Sequence, residues 1–137
     1  MCIRDRPNRD EAERLVGKAF NSKTDAAKAA LKLCDTGIEL VVISLGKQGA
    51  IAAYENMVYD VTPPEVKVIS SIGSGDSMIA GILYGFEKEM PVEDALRLGC
   101  AAGAATAMSN GTEIGSKKNV EKILEQVKVQ KLNLKSL

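Results

Sequence analysis

The sequence contains no histidine and no tryptophan, and only 4% of its 137 residues are aromatic. Without histidine the chain can build neither a Ser-His nor a Cys-His catalytic pair, and no zinc site that uses imidazole. Gly75-Asp76-Ser77 would otherwise suit an esterase, but its serine would lack the base that such chemistry needs. Cysteine is scarce too. Cys2, Cys34 and Cys100 are odd in number and widely spaced, and the last two fall in apolar helical patterns. Reduced core thiols and a cytoplasmic setting are therefore expected, rather than a disulfide framework. No apolar run reaches 18 residues and no charged-then-apolar leader opens the chain, so neither a membrane span nor secretion is indicated. An excess of either charge is also missing: 18 basic residues balance 18 acidic ones. No broad basic surface invites nucleic acid or an anionic membrane, and an anionic ligand must be held locally.

The composition that remains, 45% hydrophobic and 26% charged, suits one globular domain. Asn8 to Val16 reads as a short helix with Asn8 as N-cap, Asp10 and Glu11 in its first turn and Gly17 as its stop. A second helix is predicted from about Thr24 to Cys34, ending near Gly37. Glu39 to Ser44 is a β-branched run of the kind buried inside a parallel sheet. Leu45 to Gly49 is a turn, and Ala50 to Tyr54 with Met57 to Val61 forms a hairpin about Glu55-Asn56. Val66 to Ile69 supplies one more strand before a glycine loop. From Asp76 the apolar residues Met78, Ile79, Ile82, Leu83 and Phe86 recur at helical spacing, and Ala80, Gly81 and Gly85 offer a small face for close packing. Pro91 opens the next helix, whose small-residue run Cys100 to Ala105 leads to Asn110-Gly111. Ser116 can cap a last helix with Val120, Ile123, Leu124 and Val127 inside, followed by a frayed Lys-rich tail over residues 129–137. The pattern is α/β.

The loop Ile72-Gly73-Ser74-Gly75-Asp76 joins a strand to a helix, so it gathers unpaired backbone N–H groups at the positive end of a helix dipole. That is an anion site. A carboxylate there would repel a resting phosphate, yet it suits a base that takes a proton from a hydroxyl while the amides hold the moving charge. The plainer alternative is that the glycines shape a turn and Asp76 only caps the helix.

The continuation Gly73-Ser74-Gly75-Asp76-Ser77-Met78-Ile79-Ala80-Gly81 resembles the second signature of the ribokinase-like PfkB carbohydrate kinases. Three other stretches agree in order. Pro7-Asn8-Arg9-Asp10-Glu11 is similar to that family's Asn-x-x-Glu motif, Ser44 to Ala50 to its nucleotide loop, and Ala101-Ala102-Gly103-Ala104 through Asn110-Gly111-Thr112 to its adenine-side helix and turn. The resemblance runs from Pro7 to about Val127, and Ser77-Met78 looks most like the branch acting on hexose phosphates, above all on fructose 1-phosphate.

The resemblance implies a three-layer α/β/α sandwich, here its C-terminal portion with a truncated, mostly parallel sheet. It implies ATP-dependent phosphoryl transfer to a sugar phosphate, with Asp76 as catalytic base and the amides of Gly73, Ser74 and Gly75 as anion hole. ATP would lie against Asn8, Ser44, Leu45, Gly46, Lys47, Gln48, Gly49, Gly75, Gly103 and Ala104, and Glu11 would organise Mg2+ through water. Some members also bind a monovalent cation such as K+, which here falls about Ser70, Ile72, Thr106 and Gly111. The resemblance implies a cytoplasmic parent enzyme that can form a homodimer, with no nucleic-acid or membrane partner. Each motif has a local alternative: a capped helix start at Asn8, a hairpin turn at Gly46 and Gly49, helix packing at Gly103.

The sequence departs from the family in length, since members are more than twice as long and carry the sugar site in a first part that has no counterpart here. Residues 1–6 do not resemble the strand expected before Pro7 and read as a foreign leader, with 7–128 as the nucleotide-binding part. The isolated stretch is then expected to be inactive. A 6-phosphofructokinase, a tagatose-6-phosphate kinase, a nucleoside kinase or a non-catalytic nucleotide-binding module remain as alternatives.

Overall fold

The computed structural model describes residues 3–5, 22–37, 39–45, 48–66, 74–108 and 117–132. Among them the strands are β1 (Ile3–Asp5), β2 (Leu40–Ser44), β3 (Ala50–Tyr54), β4 (Met57–Thr62) and β5 (Lys128–Leu132). The helices are α1 (Lys23–Cys34), α2 (Ser74–Glu87), α3 (Val92–Ala107) and α4 (Lys117–Leu124). The strands form one sheet in the order β1-β2-β3-β4-β5. Two compact units emerge, residues 1–60 with 130–137, and residues 61–129. None of the described helices is long and apolar enough to cross a membrane.

In the first unit, α1 starts because Ser22 accepts a hydrogen bond from the Asp25 N–H at 3.3 Å, satisfying one orphan donor. It stops where Gly37 takes φ +101 and its N–H reaches the Cys34 carbonyl at 3.0 Å, a left-handed stop that favours glycine. Its inner face is small: Ala26, Ala27, Ala29, Ala30 and Leu33 pack with Val41, Ile43, Ile51, Ala53 and Val58. Alanines cost little side-chain entropy and let the helix lie close to the sheet. Leu40, Val42, Ala50 and Ala52, which alternate with the residues facing α1, are buried as well. Burial on both faces is the reason for the unbroken apolar run in β2. Half-buried Lys23 and Asp60 tie α1 to β4 at 3.0 Å.

The sheet is less parallel than the sequence suggests. β2 runs parallel to β1, with Ile3 opposite Leu40, but antiparallel to β3, with Leu40 opposite Tyr54 and Ser44 opposite Ala50. A connection as short as residues 45–49 cannot supply the crossover that parallel pairing demands. The hairpin between β3 and β4 forms as expected, with Glu55 at φ 51 and Asn56 at φ 64, the two positive values of a type I′ turn.

Two further differences concern the chain's ends. Within residues 1–6, whose sequence reads as a foreign leader, Ile3–Asp5 is a strand paired with β2. Lys128–Leu132 is a strand beside β4, and Leu132 packs on the α1 cluster, so this part of the tail is not frayed. Pairing at a sheet edge uses backbone groups that every non-proline residue carries, so it leaves little trace in side-chain pattern. The helix expected over residues 8–16, and all of the strand expected at 66–69 beyond Val66, lie outside the described residues.

The second unit is helical. Pro91 is the N-cap of α3 with φ −53, and the Ala95 N–H bonds its carbonyl at 3.0 Å. α2 and α3 run antiparallel in close contact, as their glycines permit. A Cβ on Gly85 would stand 2.6 Å from the Ala95 Cβ, and one on Gly99 would stand 2.5 Å from the Ile82 Cγ1. Gly81 and Gly85 thus form the expected small face, whereas Ala80 is exposed. Ile123 and Val127 are buried near the end of the unit, with Val120 and Leu124 half-buried.

Candidate active site

The expected site residues fall in both units, and each group stands by itself. In the second unit, α2 begins at Ser74, so Ser74, Gly75 and Asp76 occupy its first turn. The N–H groups of that turn have no partner inside the helix and mark its positive end. Gly75 and Asp76 are exposed. An N-cap residue precedes a helix, whereas Asp76 is its third residue; it therefore sits within the first turn rather than ahead of it. That places a carboxylate on an exposed turn at the positive end of the helix.

The next residue, Ser77, is half-buried and accepts a hydrogen bond from the Thr106 hydroxyl at 2.8 Å. Thr106 is 3% exposed and stands one residue before the end of α3. The antiparallel packing of α2 on α3 therefore brings the far end of the small-residue run beside the turn that carries Asp76. Along that run Gly103 is buried and Ala104 half-buried. The Cys100 thiol in the same helix is pushed up to about 12 by burial, so it is protonated and no nucleophile at neutral pH.

In the first unit, the expected nucleotide loop follows β2. Ser44 is exposed at the carboxyl end of that strand, where α/β sheets bind ligands. The Leu45 N–H bonds the Gly49 carbonyl at 2.8 Å and the Gln48 N–H bonds the Leu45 carbonyl at 3.2 Å, closing a tight turn. Gly49 adopts φ +94, so the turn alone accounts for glycine there. Gln48 is exposed and Leu45 half-buried against the α1 cluster.

Asn8, Glu11, Gly46, Lys47, Ser70, Ile72, Gly73 and Gly111 lie outside the described residues. Of the expected cation set, Thr106 alone is described. Among the described residues no three Cys, Asp or Glu side chains gather as a metal cluster. No sequence pattern announces the pairing of Ser77 with Thr106, since 29 residues separate the two.

Comparison with known proteins bears on the chain as a whole. The model of the pfkB family of carbohydrate kinases matches residues 6–119. The 1-phosphofructokinase of Bacillus subtilis (strain 168) is 38% identical over 127 residues, covering 93% of this chain and 41% of that protein. A crystal structure of phosphofructokinase-2 from Escherichia coli in complex with potassium superposes with a TM-score of 0.81 at 34% identity, over 88% of this chain and 40% of that one. Ribokinase from Thermotoga maritima, at 24% identity and a TM-score of 0.74 over 88% of this chain and 41% of that one, shares the fold. The chain spans about two fifths of the length of the curated relatives it matches.

Proposed function

The chain belongs to the pfkB family of carbohydrate kinases and has the ribokinase-like α/β fold, and from that premise we propose that the polypeptide carrying it transfers a phosphoryl group from ATP to a sugar phosphate. Fructose 1-phosphate, giving fructose 1,6-bisphosphate, is the acceptor this reading favours, in keeping with the 1-phosphofructokinase relative. The observation that carries the reading is the position of Asp76, exposed in the first turn of α2 among amides that have no helical partner.

Phosphoryl transfer asks for positioning and for neutralisation of spread charge more than for covalent chemistry. Asp76 accepts the proton of the attacking sugar hydroxyl. The amides of Gly73, Ser74 and Gly75 receive the charge that develops on the transferring group, and the open end of the helix dipole adds to them. Absence of a side chain at Gly75 lets the phosphoryl group approach the main chain. ATP is held by Asn8, Ser44 to Gly49, Gly103 and Ala104.

The exposed first turn of α2, where phosphate oxygens would lie in the open, fits Mg2+, which keeps water and phosphate among its ligands. Glu11 would hold it through water, and the ion would supply charge neutralisation at the phosphates. A potassium ion about Ser70, Ile72, Thr106 and Gly111 would add to the same field, in line with the potassium complex of the phosphofructokinase-2 relative. The sugar site comes from outside this stretch, which by itself would bind nucleotide weakly and phosphorylate nothing. The working location is the cytoplasm.

The test is turnover of the full-length polypeptide with ATP and, in turn, fructose 1-phosphate, fructose 6-phosphate, tagatose 6-phosphate and a nucleoside. Fructose 1-phosphate should give the highest kcat/KM. A faster rate on another acceptor transfers the assignment within the family, and no phosphorylated product from any of them ends the kinase reading.

A further inference from the structure

We propose that Thr106 is a positioning residue for Asp76, acting through Ser77; the inference rests on the kinase reading above. Three observations carry it. Thr106 is nearly excluded from water at 3% exposure, yet its hydroxyl donates across the helix interface to the Ser77 hydroxyl at 2.8 Å rather than facing solvent. Ser77 is joined directly to Asp76, within the same first helical stretch of α2. The close contacts that set the separation of the two helices involve Met78, Gly81, Ile82 and Gly85, all of them after Ser77.

Those contacts are apolar or between backbone atoms and resist approach, but they have little directional preference. A hydrogen bond between two hydroxyls does have one. The Ser77-Thr106 bond therefore fixes the rotation and axial position of the turn that presents the carboxylate. Misplacement of a reacting group by about 1 Å can cost on the order of 10²-fold in rate. Thr106 also lies three residues after Gly103, so the adenine side and the base are referred to one helix end.

The test uses the full-length polypeptide, with kcat, KM for ATP and the potassium concentration for half activation measured in each variant. Thr106→Val should lower kcat about 10- to 100-fold with KM for ATP within about twofold, the signature of a contact that matters in the transition state. Thr106→Ser keeps the hydroxyl and should return kcat to within about threefold of the parent. Ser77→Ala should reproduce the loss, and the double variant should lose no more than either single one. Ser77→Ala also serves if Thr106→Val does not fold.

A kcat within about twofold of the parent in both Thr106→Val and Ser77→Ala overturns the inference, as does a rise in KM for ATP at unchanged kcat. A shifted potassium requirement with full kcat at saturating potassium also overturns it, because the hydroxyl would then serve the cation. If the unaltered polypeptide phosphorylates none of the four acceptors, the kinase reading itself has failed, a result distinct from all of these.

Discussion

A Cβ placed on Gly99 would lie 2.6 Å from the carbonyl oxygen of Met78. The backbones of α2 and α3 thus approach closely enough that one methyl group is excluded, two residues beyond the turn that holds Asp76. That spacing gives the small-residue run its first duty, which is packing, and any contact with a nucleotide is added to it.

Replacing Gly99 by Ala should destabilise the protein. Alanine gains about 1 kcal/mol over glycine in helix propensity, but the new methyl meets both Ile82 Cγ1 at 2.5 Å and the Met78 carbonyl, which cannot give way as a side chain end can. The expected net loss is about 1–3 kcal/mol. Urea unfolding followed by circular dichroism should show a lower midpoint for Gly99→Ala, while Ala80→Ser at an exposed position should leave it nearly unmoved.

Asp76→Asn separates the base from a merely stabilising acid in the first turn. The amide keeps the shape of the side chain and removes its basicity. Turnover in the full-length polypeptide should fall about 10²–10⁴-fold with little change in KM for ATP. A kcat within about threefold of the parent would falsify the assignment of Asp76 as base.

Cys100 predicts a pH dependence. Burial raises its thiol from 9.0 to about 12, so between those values the unfolded chain has lost a proton that the native state retains. The native state binds more protons there, and stability falls as pH rises above about 9. In Cys100→Ala this contribution is gone. The stability difference between the parent and the variant should be constant below pH 8 and narrow steadily from pH 9 upward, as read by denaturant titrations at each pH.

The turn between β3 and β4 holds two non-glycine residues at positive φ, Glu55 at 51 and Asn56 at 64. A type I′ turn favours Asn-Gly at these places. Glu55→Asn combined with Asn56→Gly should relieve strain and raise the unfolding free energy by about 1 kcal/mol. A thermal melt that is unchanged or lowered would count against the assigned turn geometry.

Much of the fold was legible in the residues where its parts are local, whereas eight of the expected site residues lie outside the described residues. The stop at Gly37 and the hairpin at Glu55-Asn56 each depend on the conformational reach of a few neighbouring residues, and the structure has them where the sequence puts them; the helix after the glycine loop forms too, but it starts at Ser74, two residues before Asp76. The parts the sequence hid are those made by groups far apart or by groups common to all residues. No periodicity links Ser77 to Thr106, and Lys128–Leu132 carries no apolar alternation strong enough to announce a strand.

By itself, then, the sequence determined the local pattern on which the proposal rests: an acid, Asp76, in a glycine-rich stretch where a helix begins. The tertiary structure alone decided which strand lies beside which, and that α3 ends against the first turn of α2. Backbone hydrogen bonding at a sheet edge accepts nearly any residue, so strand pairing had to be settled by the whole sheet. The meeting of Ser77 with Thr106 follows from how closely two glycine-faced helices pack, a distance set by steric exclusion between residues that no local pattern relates.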